Sequence, residues 1–377
     1  MIIGVPREIK NNEFRVGMTP AGVAEFVAHG HTVLIERQAG DGSSYGDADY
    51  AMAGAQLVDA AAEVFGAADM IVKVKEPQAP ELAMLRPGQI LFAYLHLAPD
   101  RAQTEGLLKS GAVCIGYETV ELAAGRLPLL APMSEVAGRM AAQVGASLLQ
   151  RPSGGRGVLM GGVAGVLPAN VLILGAGTVG INAAYVAKGM GASVTLMDVD
   201  IERLRQIEFA WGSAVRTVYS TRHDVERMVA EADLVIGAVL QAGARTPVLI
   251  TRDMLALMKR RAVILDVAVD QGGCIETIRP TTHADPTYLV DEILHYGVTN
   301  MPGALPRTST QALMNATLRY GLAIADKGWL RAVCEDPALA RGVNILEGRI
   351  TSRPVAEAHG LAFTPLEVLV PCSDAPW

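Results

Sequence analysis

The sequence predicts an α/β protein built from two doubly wound domains that long helices join. Apolar runs of strand length alternate with helix-compatible segments along most of the 377 residues. That length exceeds the size at which a single hydrophobic core keeps growing. Half of the residues are apolar and 19% are charged, a composition typical of domains with buried parallel strands.

The predicted boundaries give a discontinuous domain, 1–128 plus 307–377, and a central domain, 129–306. The discontinuous domain is predicted to be flavodoxin-like or Rossmann-like, and to include the C-terminal segment because that segment could barely build a core alone. The joining helices are predicted from Ser134, as N-cap, to Leu149, and from Ser309 to Lys327.

Each predicted element follows from apolar periodicity and from the residues that begin or end it. Strands are predicted at 2–5, 32–36, 70–75, 89–95 and 113–117, then at 170–174, 192–198, 215–220, 233–239, 262–267 and 288–291, with an exit at 298–301. Helices are predicted at 20–29 after a Thr19 cap, at 100–110 before Gly111, at 224–232, and to Met258 after a Thr251 cap.

The central domain begins with a glycine-rich fingerprint. Gly175, Gly177 and Gly180 match G-x-G-x-x-G between a strand and a helix, and Asp198 ends the next strand. The glycines allow a tight turn, approach of the backbone to a pyrophosphate, and close packing of helix on strand. Asp198 can accept hydrogen bonds from a ribose diol. This order predicts a Rossmann domain that binds a dinucleotide; the alternative is a βαβ crossover that binds nothing.

The same acid favours NAD over NADP, because a carboxylate at this point repels a ribose 2′-phosphate. Arg203 is the nearest positive charge after it. It could pair with Asp198 or Asp200, or it could leave NADP as a second possibility.

Charge and cysteine content argue against several classes of function. A formal charge of −7 argues against nucleic acid or anionic membranes as partners. The four cysteines lack metal-ligand spacing, so we expect no metal, and they are predicted to be reduced thiols of a cytoplasmic protein. We expect neither a secretory signal nor a membrane span, because no apolar run has the required form.

Four side chains near the ends of predicted elements are candidates for chemistry. His96 suits proton transfer near neutral pH, and Asp270 follows a central strand where ligands bind in open sheets. Arg15 and Lys75 could together hold a carboxylate. The structural alternatives are a core histidine, a turn-capping aspartate and two solvated surface cations.

Several long segments resemble the alanine dehydrogenase family, and together they run along nearly the whole chain. They are Gly-Val-Pro-Arg-Glu-Ile-Lys at 4–10, Arg-Val-Gly-Met-Thr-Pro at 15–20, Val-Lys-Glu-Pro at 74–77, Tyr-Leu-His-Leu-Ala at 94–98, Ala-Pro-Met-Ser-Glu-Val-Ala-Gly-Arg-Met-Ala at 131–141, Asp-Val-Ala-Val-Asp-Gln-Gly-Gly-Cys at 266–274 and Asn-Met-Pro-Gly-Ala-Leu-Pro-Arg-Thr-Ser-Thr at 300–310. The tail from about Cys372 is unmatched.

The resemblance implies reversible NAD-dependent oxidative deamination of L-alanine to pyruvate, ammonium and NADH by a homohexamer. It implies that Arg15 and Lys75 bind the substrate, and that His96 and Asp270 transfer protons. The cofactor residues that it implies, besides the fingerprint glycines, are Ser134, Thr178, Val179, Asp198, Arg203, Ser220, Val239, Leu240, Val267, Ala268, Val269, Asp270, Arg279, Val298, Thr299, Asn300 and Met301. Thr178 departs from the usual pattern, because an apolar residue is common there.

Three other hypotheses remain. The first is the soluble nucleotide-binding component of a proton-translocating transhydrogenase, against which the combination of Arg15, Lys75 and His96 speaks. The second is an opine-type dehydrogenase of lysine metabolism, which needs a larger pocket and a different central-domain signature. The third is a non-catalytic NAD(H)-sensing module, which would tolerate loss of the His96 and Asp270 pair.

Overall fold

The computed structural model describes residues 1–239, 246–370 and 372, and the chain divides into two compact α/β units. Unit 1 comprises Met1–Met133 and the chain from Leu305 onward, and unit 2 comprises Ser134–Ala304. The boundaries expected from the sequence were 128/129 and 306/307.

Eleven of the fifteen strands among the described residues lie close to the positions that the apolar runs predict. The strands at 56–58, 293–296, 343–346 and 349–350 have no predicted counterpart. In chain order, the strands are β1 (Ile2–Val5), β2 (Thr32–Glu36), β3 (Gln56–Val58), β4 (Met70–Val72), β5 (Ile90–Ala93), β6 (Val113–Gly116), β7 (Asn170–Leu174), β8 (Ser193–Asp198), β9 (Arg216–Tyr219), β10 (Leu234–Gly237), β11 (Val263–Asp266), β12 (Thr287–Val290), β13 (Ile293–Tyr296), β14 (Val343–Leu346) and β15 (Arg349–Ile350). β4 and β5 end earlier than predicted, since the chain leaves the sheet after Val72 and after Ala93.

The helices alternate with these strands. They are α1 (Pro20–Ala28), α2 (Asp47–Met52), α3 (Ala61–Ala67), α4 (Ala79–Leu82), α5 (Arg101–Ser110), α6 (Ala131–Leu148), α7 (Thr178–Gly189), α8 (Ile201–Trp211), α9 (Arg222–Glu231), α10 (Arg252–Leu255), α11 (Pro306–Lys327), α12 (Trp329–Glu335), α13 (Pro337–Gly342), α14 (Arg353–His359) and α15 (Leu366–Leu369). The Thr19 cap of α1 is confirmed, because its hydroxyl accepts the Gly22 N–H at 3.1 Å.

Both units use one strand order. The sheet of unit 1 runs β15-β14-β6-β5-β4-β1-β2-β3, and that of unit 2 runs β12-β13-β11-β10-β7-β8-β9. The parallel strands of each unit, numbered along the chain, give the Rossmann order 3-2-1-4-5-6 and not the flavodoxin order 2-1-3-4-5. Of the two alternatives for the discontinuous domain, the Rossmann-like one is therefore correct.

Antiparallel strands extend one edge of each sheet. In unit 1, β14 pairs with β6 and with β15, so the segment after α11 adds two strands to the sheet begun by the N-terminal segment. In unit 2, β12 pairs with β13.

Both faces of the unit 2 sheet are buried. In β7, Val171 and Ile173 pack into one apolar cluster, and Leu172 and Leu174 pack into another. Successive side chains of a strand point to opposite faces, so a strand covered on both sides has a continuous apolar sequence. This is why β7 is predictable as an unbroken apolar run.

Three details of the predicted elements are wrong. Ser134 does not cap its helix, because α6 begins at Ala131 with Pro132 in its first turn, where proline loses no hydrogen bond. α10 ends at Leu255, and the Thr251 hydroxyl before it is buried without a hydrogen-bond partner among the described residues. The predicted strand at 288–291 is β12, which is antiparallel, and β13, which lies between it and the exit at 298–301, has no predicted counterpart.

The prediction of four reduced cysteines is wrong for one pair. Cys334 in α12 and Cys372 after α15 form a disulfide, with Cα atoms 5.6 Å apart. Cys114 and Cys274 are buried free thiols. The pairing depends on how the C-terminal segment folds back, which cysteine spacing does not reveal.

Candidate active site

The candidate side chains of unit 1 follow three neighbouring parallel strands. Arg15 lies in the segment after β1, Lys75 follows β4, and His96 follows β5. The strand order reverses between β1 and β4. In open α/β sheets, ligands bind outside the carboxyl ends of the strands at such a reversal. The fold therefore places all three candidates at the part of this sheet best suited to a ligand.

Arg15 is bound by Glu13 through a two-point ion pair. Its Nε and Nη2 atoms lie 2.6 and 2.5 Å from the two carboxylate oxygens, and Nη1 lies 3.1 Å from Met133 Sδ. Burial acts to raise the pKa of Glu13, but the hydrogen bonds and charge of Arg15 outweigh burial and lower that pKa. Arg15 is only 2% exposed, so the alternative of a solvated surface charge is wrong.

Lys75 is half-buried, and the pKa of its ammonium group is lowered. The first cause is burial, and the next causes are the positive charges of Arg15 and Lys10. An ammonium group with a lowered pKa exchanges its proton more easily near neutral pH than an exposed lysine does. Lys75 is therefore suited to hydrogen bonding with a carbonyl or an amine.

A buried ion cluster lies behind Lys75. Lys73 donates to Glu81 at 2.6 Å and lies 3.2 Å from Glu8, and all three side chains are buried. Glu8 also accepts the backbone N–H of Val74 at 2.7 Å and that of Lys75 at 3.4 Å. The cluster therefore fixes the backbone of the segment that contains Lys75.

His96 has a backbone φ of +48°, in the left-handed region. Glu118 holds this conformation by accepting the N–H groups of Leu95 at 3.1 Å and of His96 at 2.7 Å. The imidazole is 42% exposed, so it is not a core histidine. Its Nδ1 lies 3.1 Å from Oε2 of Glu76, whose Oε1 accepts from Lys10.

The sequence patterns do not indicate Glu13, Glu76 or Glu118 as site residues. The one indication for Glu76 is its position next to Lys75 in the segment Val-Lys-Glu-Pro. Burial acts to raise the pKa of Glu76, but hydrogen bonds from His96 and Lys10 outweigh burial and lower it to about 2. Glu76 is therefore a carboxylate at neutral pH.

The cofactor residues expected in unit 2 lie at the carboxyl ends of its parallel strands. The fingerprint follows β7, Asp198 ends β8, Ser220 follows β9, Val239 follows β10, Val267–Asp270 follow β11, and Val298–Met301 follow β13. These ends lie along one edge of the sheet, where a dinucleotide binds in this strand order. Leu240 lies outside the described residues.

The three fingerprint glycines differ in what a side chain at each would meet. Gly175 has a φ of +104°, and a Cβ there would lie 2.7 Å from the Ala238 carbonyl oxygen. A Cβ at Gly180 would lie 1.8 Å from the Gly175 carbonyl oxygen. At Gly177, which precedes α7, a Cβ would meet no described residue within 4 Å. Among the described residues, the N-terminus of α7 is therefore open to a ligand, and helix N-termini favour anionic groups such as a pyrophosphate.

Asp198 joins the fingerprint turn to the end of β8. One oxygen accepts the Ala176 N–H at 2.5 Å, and the other accepts the Asp200 N–H at 2.8 Å. The Arg203 guanidinium lies 3.3 Å from Asp200 and 4.0 Å from Asp198. Arg203 therefore pairs with both acids that the sequence offered it.

Asp270 is exposed in a single 3-10 turn, Val269–Gln271, after β11. The buried Asp266 supports this turn by accepting the N–H groups of Ala268 at 2.9 Å and Cys274 at 2.7 Å. Burial raises the pKa of Asp266 to about 6, despite these hydrogen bonds. Asp266 lies inside β11, as expected, but its position in the sequence does not indicate this supporting role.

The remaining cofactor candidates also lie in unit 2, in helices and in segments between strands. The Arg279 guanidinium lies 4.4 Å from the centre of the Tyr288 ring, and the Tyr288 hydroxyl accepts the Arg279 N–H at 2.7 Å. Asn300 has a φ of +54° and accepts the Gly303 N–H at 2.9 Å. Thr178 and Val179 begin α7, and Ser134 lies within α6.

Two family models match the chain in succession. Residues 4–137 match the model described as alanine dehydrogenase/PNT, N-terminal domain, and residues 141–353 match the model for the C-terminal domain. The chain is 53% identical to an alanine dehydrogenase of Halomonas elongata, over 98% of this chain and all of the relative. It is 55% identical to one of Mycobacterium tuberculosis with the same coverage.

Solved structures agree with these matches. A structure of an L-alanine dehydrogenase aligns with a TM-score of 0.93 and 51% identity, over 96% of this chain and 99% of the other. A transhydrogenase from Sinorhizobium meliloti aligns with a TM-score of 0.80 over 94% and 99% of the two chains, but at 23% identity it shows the fold alone. The chain belongs to the alanine dehydrogenase family of NAD-dependent oxidoreductases.

Proposed function

We propose that this protein catalyses the reversible NAD-dependent oxidative deamination of L-alanine to pyruvate, ammonium and NADH. The observation that supports this most is the placement of Arg15, Lys75 and His96 at one strand-order reversal in unit 1. The component of a transhydrogenase and an NAD(H)-sensing module have no substrate acid to hold. An opine-type dehydrogenase would have to accommodate a much larger substrate.

Arg15 and Lys75 bind the substrate in this proposal. Glu13 fixes the guanidinium of Arg15 through a two-point ion pair with Nε and Nη2, so the orientation of the positive charge is set before a carboxylate arrives. Lys75 contacts the amine of alanine or the carbonyl oxygen of pyruvate, and its lowered pKa suits both partners. Orientation of this kind accounts for much of the gain from holding two reactants together.

NAD is the cofactor, and it supplies the acceptor for the α-hydride of alanine. Gly175, Gly177 and Gly180 with the N-terminus of α7 hold the pyrophosphate, and Asp198 holds the adenosine ribose. The other proposed cofactor residues are Ser134, Thr178, Val179, Arg203, Ser220, Val239, Leu240, Val267, Ala268, Val269, Asp270, Arg279, Val298, Thr299, Asn300 and Met301.

His96 and Asp270 transfer protons in this proposal. Alanine with a neutral amine loses its hydride and becomes an iminium ion. Water adds to the iminium carbon while His96 accepts a proton from it. The carbinolamine then collapses to pyruvate and ammonium, because protonated His96 returns its proton to the amine nitrogen and the hydroxyl proton also leaves with the nitrogen. Asp270 positions the water and stabilises the positive charge.

NADH formation on addition of L-alanine tests this function. The absorbance of NADH should rise when L-alanine and NAD are both present. The absorbance should rise much less when glycine, serine or lysine replaces L-alanine, or when NADP replaces NAD. Replacing His96→Ala should lower kcat by about 100-fold or more and leave the Kd for NADH nearly unchanged. Unchanged turnover in that variant would refute the role of His96, and equal rates with lysine would favour the opine-type alternative.

We also propose that the chain forms a homo-oligomer, with the hexamer expected from the family resemblance. A short hairpin in unit 2 supports self-association, because Leu159, Val163, Val166 and Leu167 are all more than 60% exposed. Exposed apolar patches commonly mark interfaces. Leu167→Glu should reduce the mass of the protein measured by sedimentation. Phe209→Glu changes an exposed residue outside the hairpin and is the control. An unchanged mass in both variants would exclude this hairpin as an interface between subunits.

Cytoplasmic localisation stays a prediction. Among the described residues, no helix combines the length and apolar character needed to cross a bilayer. The expectation of reduced cysteines contributed to this prediction, and the Cys334–Cys372 disulfide removes that support.

A further inference from the structure

We propose that Glu76 is a positioning residue for His96, whose carboxylate accepts the Nδ1–H of the imidazole and so leaves Nε2 as the proton acceptor. The inference rests on the proposed function, in which His96 accepts a proton from water. It assigns to unit 1 a carboxylate partner for the imidazole that is separate from Asp270.

The geometry gives the two ring nitrogens different surroundings. Nδ1 lies 3.1 Å from Oε2 of Glu76, a buried side chain. The imidazole itself is exposed over almost half of its surface. A neutral imidazole has one N–H, and an ionised carboxylate can only accept a hydrogen bond. Nδ1 must therefore carry the proton in the neutral ring, and Nε2 has the free lone pair.

Lys10 keeps Glu76 ionised. The Lys10 ammonium pairs with Oε1, the oxygen that His96 does not contact. With both partners present, the pKa of Glu76 falls to about 2 although burial opposes ionisation. The negative charge is thus present throughout the pH range in which an imidazole changes its protonation state.

The groups around His96 come from three segments. Glu118, after β6, accepts the backbone N–H of His96 at 2.7 Å. The Tyr94 ring lies 5.8 Å from the imidazole centre, and its hydroxyl donates to the Leu129 carbonyl oxygen at 2.6 Å. Glu118 therefore orients the backbone, whereas Glu76 is the carboxylate bonded to the ring nitrogen.

If the Glu76 carboxylate had a purely structural role, it would stabilise the segment after β4. The hydrogen bond between Glu76 and Gln78 in that segment, however, uses the Glu76 backbone oxygen, which accepts from the Gln78 side chain at 3.0 Å. That contact survives a side-chain substitution. Changing the carboxylate therefore acts mainly on His96 and Lys10.

Glu76→Gln tests the inference, because an amide has one acceptor oxygen where the carboxylate has two. If Lys10 retains that oxygen, the amide N–H₂ faces Nδ1 and forces the proton onto Nε2. We expect kcat to fall about 100-fold or more, by analogy with other imidazoles that lose a carboxylate partner. The KM for L-alanine and the Kd for NADH should change less than about threefold, because neither ligand loses a direct contact.

The pH profile supplies a second readout. The protonated imidazole loses a negatively charged partner in Glu76→Gln, so the acidic limb of kcat/KM should move to lower pH. Glu76→Asp keeps the charge and should restore at least a tenth of kcat together with the original acidic limb. This variant also tests the inference if Glu76→Gln proves unstable.

A double-mutant cycle separates positioning from a structural effect. In a His96→Gln background, Glu76→Gln should lower kcat by less than about twofold further, since groups that act as a unit are not additive. An equal loss in both backgrounds, or a large rise in the KM for L-alanine, would overturn the inference. Normal turnover in Glu76→Gln alone would overturn it and leave the proposed function intact. Normal turnover in the His96 variant would remove the proposed role of His96 as well.

Discussion

The two units have the same strand order but build their candidate sites from different groups. In unit 1, charged side chains meet in pairs, as in Arg15 with Glu13 and His96 with Glu76. In unit 2, the fingerprint depends on main-chain geometry, with Gly175 at a φ of +104° and Gly177 open before α7. One sheet topology therefore supports a site made of side chains and another made of backbone.

This difference predicts different sensitivities. A buried charge is costly unless a partner of opposite sign remains, so unit 1 should suffer from the loss of one charged group. A close backbone approach leaves no room for added atoms, so unit 2 should suffer from the gain of a methyl group. Each of the following substitutions can contradict that contrast.

The largest effect is expected for a methyl group at Gly180. The Cβ of Gly180→Ala would lie 1.8 Å from the Gly175 carbonyl oxygen, so backbone must move. We expect the free energy of unfolding to fall by on the order of 5 kcal/mol, and NADH binding to be lost. Chemical denaturation and fluorescence titration with NADH measure the two effects.

Gly177→Ala is the matched control. Its Cβ meets no described residue within 4 Å, so the free energy of unfolding should change by less than about 1 kcal/mol. NADH binding should still weaken at least about tenfold, because the methyl group occupies space before the N-terminus of α7. Equal stability losses in both variants would contradict the division between a packing glycine and a ligand glycine.

Lys73→Met should produce the largest stability loss in unit 1. The substitution leaves Glu8 and Glu81 buried without their shared cation, and breaking a buried pair costs about 4 kcal/mol. Arg331→Met removes an exposed pair with Glu335 and should leave the free energy of unfolding nearly unchanged. Denaturation of both variants measures the contrast, and similar losses would show that burial does not set the sensitivity of unit 1.

The same contrast explains what could be predicted from the sequence. The fingerprint of unit 2 has a fixed spacing because Gly175, Gly177 and Gly180 serve one continuous turn and helix. The strands could be predicted because both faces are buried and the apolar runs are unbroken, as in β7. β3, β13, β14 and β15 escaped prediction, and in β13 the buried polar His295 interrupts the apolar run.

The partners in unit 1 could not be predicted from spacing. Glu76 meets His96 only because β4 and β5 are neighbours in the sheet, and Glu118 reaches His96 from the next strand. The Cys334–Cys372 disulfide escaped for a similar reason, because the C-terminal segment returns to α12 in space. Spacing therefore predicts local backbone motifs, whereas ion pairs and disulfides depend on tertiary contacts.

Asp266→Asn tests a carboxylate in unit 2 that behaves like the buried charges of unit 1. The pKa of Asp266 is about 6 in the folded state and 3.8 without the fold, so the folded protein binds the proton more tightly. Its contribution to stability is present below pH 3.8 and is lost as the pH rises through 6. The difference in unfolding free energy, wild type minus variant, should fall by about 3 kcal/mol between pH 3.5 and 7.

Asp59→Asn, at an exposed position, is the control for that measurement. The comparison is therefore between a buried carboxylate and an exposed one. A difference for Asp266→Asn that stays constant, or that grows with pH, would contradict the assigned role of burial.

Asp198→Ala should have the smallest effect, and it tests whether a side chain adds specificity to a backbone site. Loss of the carboxylate removes the hydrogen bonds from the Ala176 and Asp200 N–H groups and those proposed to the ribose, so the KM for NAD should rise about tenfold. The preference for NAD over NADP should narrow as well, because the negative charge that repels a 2′-phosphate is gone. The measurement is the ratio of kcat/KM for NAD to kcat/KM for NADP. If this ratio is the same in Asp198→Ala as in wild type, the Asp198 side chain adds no specificity and the backbone alone sets the choice of cofactor.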